Sequence, residues 1–222
     1  KMKKINLITY FTPSHKVFYD DYFLPSFKKH SLDQDFNLIV ETGEQVAENG
    51  DYYSKGFNGT TVDKLSSFSN HLNVGDSNPL MFADADIQFL GNFKDDIVET
   101  FNSSGCDILF QSDITNLCTG FFICKQSKLV KQLLEEALEL TPRVEHEQVA
   151  INMILQSNNL NIKYDTLDPT KYFTIGYSTK GTQWTPETVD LDIPKTILMH
   201  HANWTAGVEN KIKLLNFVKA TN

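Results

Sequence analysis

The stretch Pro79-Leu-Met-Phe-Ala-Asp84-Ala-Asp86-Ile-Gln-Phe-Leu90 decides the fold, because it joins an apolar run to two acids. An apolar run of this kind is typical of a buried strand, and we predict a strand along it. Side chains alternate along a strand, so Asp84 and Asp86 lie on the same side if the extended backbone continues. Two adjacent carboxylates repel each other unless protons or a cation neutralise them. Because hard divalent cations take oxygen ligands, the stretch predicts a metal-binding strand end.

Predicted strands and helices alternate on both sides of this stretch. Residues 5–11 read as a buried strand that ends in Thr12-Pro13, whereas residues 44–59 and 168–196 look irregular or turn-rich. The alternation indicates an α/β fold with a mainly parallel central sheet flanked by helices. Acids at the carboxyl end of such a strand occupy the usual ligand crevice. We predict further strands at 36–40, 107–111, 120–124, 161–165 and 196–200, and helices at 15–30, from 60 or 61 to 72, 94–102, 127–140, 145–156 and 208–219.

The composition is that of one ordinary globular domain, and we predict a single domain over residues 1–222 without repeat or linker. The formal net charge of −8 argues against nucleic-acid binding, which needs a basic surface to displace counterions. It also argues against a polybasic membrane surface. Arg143 is the single arginine among 20 basic residues, which excludes phosphate recognition by several arginine forks.

The cysteine pattern and the hydropathy indicate in which cellular compartment the protein is expected. Cys106, Cys118 and Cys124 form no CxxC pair, and an odd number without a framework fits a reducing compartment. No stretch reaches 18 apolar residues, and the first residues lack a signal-peptide pattern. We therefore expect a cytoplasmic protein without a membrane span.

A second motif, His200-His201-Ala-Asn203-Trp-Thr-Ala-Gly207-Val-Glu-Asn-Lys211, lies near the end of the chain. It supplies an imidazole that can bind a metal, a glycine that lets backbone approach a ligand, and a lysine that can meet phosphate. His200 and His201 alternate on a predicted strand, so one of them should face the metal. The spacing to Asn203 and Gly207 favours His201.

The order of these motifs resembles that of a known family. A hydrophobic strand with Asp-Ala-Asp is followed by Thr119-Gly120, then by Glu147-Gln148, and finally by the histidine motif. This order is similar to that of the GT-A nucleotide-diphospho-sugar transferases, the DxD glycosyltransferases, and above all to small chlorovirus-type and plant-type members. The resemblance covers about residues 4–215. It implies a Rossmann-like GT-A domain, a nucleotide-sugar donor (we expect a UDP-sugar), and a glycan or glycoprotein acceptor.

The resemblance also implies site residues, position by position. Asp84, Asp86 and His201 match the metal ligands, with Mn²⁺ or Mg²⁺ as the cofactor. On the acceptor side stand Thr119 and Gly120. The residues that match donor-binding positions are Thr9, Tyr10, Lys64, Asp84, Ala85, Gln111, Asn203, Gly207 and Lys211.

Three further residues match catalytic positions of that family: Asp113, Glu147 and Gln148. Glu147 departs from the pattern, because the family often has Asp-Gln there, and the glutamate is longer by one methylene. Neither Asp113 nor Glu147 is singled out as a nucleophile, and both carboxylates are candidates for a catalytic role. The resemblance favours retention of the anomeric configuration.

Electrostatics explains why a cation is expected. A phosphate oxygen about 4 Å from a carboxylate is repelled by about 4 kcal/mol at an effective dielectric of 20, so the acids would repel a diphosphate unless a cation stood between them. The imidazole suits Mn²⁺ better than Mg²⁺.

Two alternatives stay open. The first is a phosphatase of the haloacid dehalogenase type, whose DxD lies near the N-terminus, whereas here it stands at residues 84–86 with Gln88 two places further on. The second is a non-catalytic sugar- or cation-binding module.

Overall fold

The structure is a computed structural model that describes residues 4–52 and 54–222. The strands are β1 (Ile5–Phe11), β2 (Phe36–Thr42), β3 (Leu80–Ala83), β4 (Ile87–Phe89), β5 (Ile108–Asp113), β6 (Asn116–Cys124), β7 (Tyr164–Thr166), β8 (Tyr172–Thr174) and β9 (Met199–His201). The α-helices are α1 (Lys16–Phe18), α2 (Leu24–Lys29), α3 (Leu32–Asp35), α4 (Phe57–Asn70), α5 (Lys94–Ser104), α6 (Lys128–Leu140), α7 (Glu147–Ser157) and α8 (Val208–Thr221). No helix in the described part of the chain is both long and apolar enough to span a bilayer.

The strands form a six-stranded sheet in the order β2-β1-β3-β6-β5-β7 and a three-stranded sheet in the order β4-β9-β8. In the large sheet β1 pairs in parallel with β2 and β3, and β5 pairs in parallel with β7. Strand β6 runs antiparallel to both of its neighbours, β3 and β5. The predicted α/β fold with a mainly parallel central sheet is therefore confirmed.

Both faces of the large sheet are buried, which explains its nearly continuous apolar strands. Leu7, Met81 and Phe121 contribute to the core on one face, where α2 and α5 pack. On the other face, Phe82 and Phe122 belong to a core with residues of α4, α6 and α7. Because successive side chains of a strand point to opposite faces, one apolar run serves both cores.

The predicted single strand over residues 79–90 is wrong in one respect that concerns the site. The chain leaves the large sheet after Ala83, turns at residues 84–86, and enters the small sheet at Ile87. The backbone N–H of Asp84 still donates to the Gly120 carbonyl at 2.7 Å, and the carbonyl of Asp86 accepts from the Ala202 N–H at 3.0 Å. Each acid is thus attached to a different sheet, and strand alternation does not describe their side chains.

Several other elements differ from the predictions, and three of the differences are more than a shift of a strand end. Helix α4 begins at Phe57, three or four residues before the predicted start at residue 60 or 61. The residue before it, Gly56, has a φ of +90°, which glycine adopts readily. The segment 168–196, predicted as turns, contains β8, which pairs with β9 over only three residues. The predicted helix at 15–30 is interrupted by a π-helical turn at Tyr19–Phe23. The assignment of residues 1–222 to one domain stays a prediction.

Candidate active site

A cavity of about 670 Å³ opens where the two sheets meet. Its walls come from the end of β1, the first half of α4, the turn at residues 84–86, the β5–β6 hairpin, the exposed side of α7, and the segment between β9 and α8. The cavity therefore lies at the carboxyl ends of β1 and β3, where open α/β sheets bind ligands.

Two carboxylates and one imidazole converge on the floor of this cavity. The Nε2 atom of His201 lies 3.2 Å from Oδ1 of Asp86 and 3.7 Å from Oδ2 of Asp84. One ligand atom from each of the three residues lies within 4.8 Å of the other two. The turn at residues 84–86 produces this geometry, since it presents one acid from each sheet to the β9 imidazole. Oxygen and imidazole ligands at this spacing could hold a divalent cation.

Burial and neighbouring charges change the titration of all three groups. Burial raises the pKa of Asp84, although Lys64 and His201 oppose it. Burial alone would also raise the pKa of Asp86, but Lys211 and His201 outweigh it and hold that pKa well below its usual value. Burial alone would lower the pKa of His201, but the Asp86 carboxylate outweighs it and raises that pKa to about 10. The cluster is thus a buried charge centre whose members depend on one another.

Gln111 fixes the ring of His201 from behind. The side-chain Nε2 of Gln111 donates to the backbone carbonyls of Tyr172 and Phe173, at 3.3 and 3.1 Å. Because carbonyls only accept, the Gln111 Oε1 must face the other way, where it accepts from Nδ1 of His201 at 2.9 Å. A proton on Nδ1 leaves Nε2 as the nitrogen that faces the acids, which is the arrangement a metal-binding histidine needs.

Gly120 gives these side chains their space. A Cβ added to Gly120 would lie 2.3 Å from Cε1 of His201 and 2.5 Å from Oδ2 of Asp84. No side chain fits there, so the position requires glycine for steric reasons even though it lies in the middle of a strand. Gly120, predicted on the acceptor side, lines the cavity and also contacts the metal-ligand cluster.

Lys64 joins the cluster to the start of α7. Its Nζ lies 3.2 Å from Oδ1 of Asp84 and 2.5 Å from Oε1 of Glu147, which also accepts from the Thr119 hydroxyl at 3.0 Å. Burial alone would lower the pKa of Lys64, but Asp84 and Glu147 outweigh it and raise that pKa. Burial alone would raise the pKa of Glu147, but Lys64 outweighs it and lowers that pKa. Glu147 is therefore a buried, ionised partner of Lys64.

Asp113 is held at the cavity wall by two donors. The indole N–H of Trp204 donates to Oδ1 at 2.5 Å, and the Gln148 amide donates to Oδ2 at 3.2 Å. Gln148 in turn accepts from the backbone N–H of Thr119 at 3.2 Å. Asp113 and Gln148 thus form one hydrogen-bonded network that connects α7 to the β5–β6 hairpin.

The end of the histidine motif lies beside the acids. Lys211 forms an ion pair with Oδ2 of Asp86. Gly207, with φ +85°, precedes α8, and its N–H donates to Oδ1 of Asp51 at 3.0 Å. The helix start accepts a carboxylate here, as expected from its exposed N–H groups and dipole. Asn203 lines the cavity, and its Oδ1 accepts from the Thr174 hydroxyl.

Three of the predicted donor-binding residues do not line the cavity: Thr9, Gln111 and Gly207. Thr9 alternates with Tyr10 on β1, so only Tyr10 faces the cavity, and the buried Thr9 hydroxyl has no hydrogen-bond partner among the described residues. Gln111 lies behind His201 because its strand position points it at β8. Tyr10 is buried, and burial raises its pKa to about 12. The other predicted residues all line the cavity.

Sequence reasoning missed several lining residues. His15 is one of them, and burial together with Lys211 lowers its pKa to about 4, so its imidazole is neutral near pH 7. Asp51 and Tyr52 come from the segment that reads as an irregular loop. The glycines of that segment indicate turns but not the direction in which the chain turns. The aromatic residues beside them could have indicated that the segment packs against the rest of the protein.

The single α/β layer arrangement, with a mostly parallel six-stranded sheet flanked by helices, is that of the GT-A type transferases. The model of the nucleotide-diphospho-sugar transferase family matches residues 30–215, and the chain belongs to that family. It is a glycosyltransferase, and its family implies a nucleotide-sugar donor. No curated protein sequence matches the chain.

Solved structures support the same fold. One is a glycosyltransferase involved in glycosylation of the major capsid of PBCV-1, at 12% identity and a TM-score of 0.65 over 97% of this chain and 100% of that one. Another is the glycosyltransferase GlyE of Streptococcus pneumoniae, at 11% identity and a TM-score of 0.61 over 97% of this chain and 60% of that one. Mouse xyloside xylosyltransferase 1 matches at 12% identity and a TM-score of 0.52 over 90% and 98%. The resemblance expected from the motif order is confirmed.

Proposed function

We propose that the protein transfers a sugar from a nucleotide-diphosphate donor, a UDP-sugar, to a hydroxyl of a glycan or glycoprotein, with Mn²⁺ or Mg²⁺ held by Asp84, Asp86 and His201. The observation that carries the proposal is the convergence of their ligand atoms within 4.8 Å. The ligand chemistry fits a divalent cation, since two carboxylates balance its charge and one imidazole favours Mn²⁺. When bound, such an ion stabilises the negative charge that develops on a leaving diphosphate.

The chain's own residues would then hold the donor at the charged end of the cavity. Lys211 lies against Asp86 and can turn its charge to a phosphate oxygen. Gly207 offers a backbone N–H at the start of α8, where an anion is favoured. Tyr10, neutral near pH 7, can donate a hydrogen bond from the cavity wall next to β1. Asp51 now accepts the Gly207 N–H, so a diphosphate would have to displace it.

Different roles follow for the three predicted catalytic residues. Glu147 is surrounded by Lys64 and the Thr119 hydroxyl, which supports a role in positioning Lys64 rather than in attack. Asp113 and Gln148 lie side by side on the cavity wall and supply the polar groups that can orient the transferred sugar and the attacking hydroxyl. We propose retention of the anomeric configuration, which NMR of the first product formed would test.

A thermal-shift panel of nucleotide sugars with and without Mn²⁺ tests the donor and the metal together. A ligand that binds the native state raises the melting temperature by mass action, so one UDP-sugar should stand out and should require the cation. The D86N variant provides the control, because it removes a ligand while keeping the side-chain shape. Wild-type protein that gains no stability from any nucleotide sugar with Mn²⁺ would contradict the proposal.

Product analysis separates the remaining alternatives. Release of nucleoside diphosphate with transfer of the sugar supports the proposal. Release of inorganic phosphate from simple phosphomonoesters would favour the phosphatase, which the family assignment argues against. Sugar or cation binding without any turnover of nucleotide sugars would favour a non-catalytic module.

A further inference from the structure

The charges that line the cavity are unevenly distributed. Six acids line it, but only two lysines do, and the described lining residues include no arginine. Lys64 is paired with Asp84 and Glu147, and Lys211 is paired with Asp86. Both cations therefore lie at the end of the cavity that contains the acid–imidazole cluster. The described walls away from this end offer no lysine or arginine to a ligand.

Helix α7 forms a long wall that leads away from the cluster. Glu147 anchors its first turn to Lys64, whereas Val149, Met153 and Gln156 line the cavity further along. At a rise of about 1.5 Å per residue, Met153 lies roughly 9 Å and Gln156 roughly 14 Å beyond Glu147 along the helix axis. Met153 is 50% exposed. This wall therefore presents apolar and amide surface to the cavity.

The β5–β6 hairpin completes this wall. The Asn152 side chain accepts from the Leu117 N–H at 3.0 Å and donates to the Leu117 carbonyl at 2.9 Å, which fixes the start of β6 against α7. The neighbouring Asn116 is exposed and lines the cavity. Asn116 and Gln156 are thus uncharged amides available at the surface, and both can bond to hydroxyl groups in either direction.

The acids near this wall already have donors. Asp113 accepts from Trp204 and Gln148, and Glu145 accepts from the Tyr52 hydroxyl at 3.3 Å. They do not require a cationic ligand, yet they would repel an anionic one, because no lysine among the described residues pairs with either acid. Apolar surface flanked by amides instead matches a saccharide, which has hydroxyl edges and an apolar ring face.

We infer that the wall formed by Asn116, Val149, Met153 and Gln156 binds the acceptor and that this acceptor is an uncharged saccharide. The inference rests on the proposed function and adds the chemical class of its second substrate. Saccharides ending in a uronic acid, a sialic acid or a phosphate are excluded by the negative charges of Asp113 and Glu145, whose hydrogen-bond donors are uncharged.

The test compares two acceptors of equal length that end in a hexose or in the corresponding hexuronic acid. Binding to the wild-type protein is measured by saturation-transfer NMR, which requires no turnover. Where a donor has been identified, kcat/KM of transfer is measured as well. The hexose-terminated saccharide should bind at least tenfold more tightly than its uronic-acid counterpart. Equal or tighter binding of the acidic saccharide would overturn the inference.

The M153K variant places a cation on the wall and should reduce the discrimination against the acidic saccharide at least fivefold. The matched control is L129K, which makes the same change at a 38% exposed leucine on α6 outside the cavity and should leave the discrimination unchanged. Discrimination that is equal in M153K, L129K and wild type would show that the acceptor lies elsewhere. Stabilisation of wild type by a nucleotide sugar with Mn²⁺ reports separately on the proposed function, so the two failures are distinguishable.

Discussion

The two ends of the cavity differ in how their side chains are held. At the cluster end, Asp86 and His201 are buried and Lys64 is half-buried, and each is fixed by an oppositely charged neighbour. At the α7 end, Met153 and Gln156 are exposed and reach into open space. Under the proposed function, this difference would separate two tasks. Chemistry on a diphosphate needs pre-organised charges, whereas recognition of a glycan surface would be left to exposed, uncharged side chains.

The largest expected effect comes from breaking the charged end at Asp86. The D86N variant keeps the shape of the side chain but removes a charge that Lys211 and His201 both face. We expect transfer to fall by about 10³-fold, the range found when one group that stabilises developing charge is removed. The measurement is the initial rate of transfer with Mn²⁺, accompanied by circular dichroism. D95N, at a 92% exposed side chain, is the control. Normal turnover in D86N with metal still bound would refute the assignment.

A steric change at the same end should have the next largest effect. In G120A the new methyl group would meet His201 and Asp84 at 2.3 and 2.5 Å, so the cluster must spread. We expect metal affinity and activity to fall by about 100-fold, as when positioning of ligands is lost. G59A is the matched control, because its nearest new contact is an ordinary 3.7 Å to Val46. The two variants should differ in Mn²⁺ titration calorimetry, and equal Mn²⁺ affinity would contradict the steric argument.

Gln111 tests the charged end of the cavity from outside, because it contacts His201 without lining the cavity. In Q111L the Nδ1 of His201 loses its acceptor, and two backbone carbonyls lose their donor. We expect the Mn²⁺ affinity to fall by about 10- to 100-fold, the usual effect of removing a group that orients a metal ligand. Titration with Mn²⁺, and the pH dependence of that affinity, report on the tautomer. Loss of stability with unchanged Mn²⁺ affinity would show that Gln111 supports only the fold.

The smallest effect on turnover is expected at Glu147. E147Q leaves Lys64 paired with Asp84, so we expect activity to fall by only about tenfold, consistent with an indirect role. The free energy of unfolding should fall by about 2 kcal/mol, less than the loss of a whole buried pair because Asp84 remains.

The pH dependence of stability tests the same residue. Because the pKa of Glu147 is lowered in the folded protein, its contribution is present above the unfolded pKa and is lost as pH falls through the folded pKa. The melting temperature of wild type should therefore drop more steeply than that of E147Q below about pH 4.5. Parallel curves for the two proteins would mean that Glu147 is not held as a buried carboxylate.

Much of the fold could be predicted from the sequence, because the spacing of apolar residues identifies residues 5–11 as a buried strand and α6 as an amphipathic helix. The turn at residues 84–86 could not be predicted, since the apolar pattern continues through Ile87 and Phe89 and hides the change of sheet. For the same reason the convergence of Asp84 and Asp86 has a different cause from the predicted strand alternation. Periodicity reports burial, but it does not report which sheet a strand joins.

The candidate site likewise contains residues that the sequence could predict and residues that it could not. The residue types and the motif order were sufficient to name Asp84, Asp86 and His201, which the structure brings together. They were not sufficient to place Gln111, because its partner lies 90 residues further along the chain. The pairing of Lys64 with Glu147 joins two helices and depends on tertiary packing that no local pattern records.

The turn between Ala83 and Ile87 has a mechanical consequence. Asp84 is anchored to the large sheet through Gly120, whereas Asp86 bonds through its carbonyl to Ala202, which directly follows His201 of the small sheet. An ion bound by Asp84, Asp86 and His201 would cross-link the two sheets. Amide protons of β4 and β9 should then exchange with solvent more slowly when Mn²⁺ is added, and the large sheet should hardly respond. The connection between the sheets and two of the proposed metal ligands would then be the same three residues of chain, 84–86.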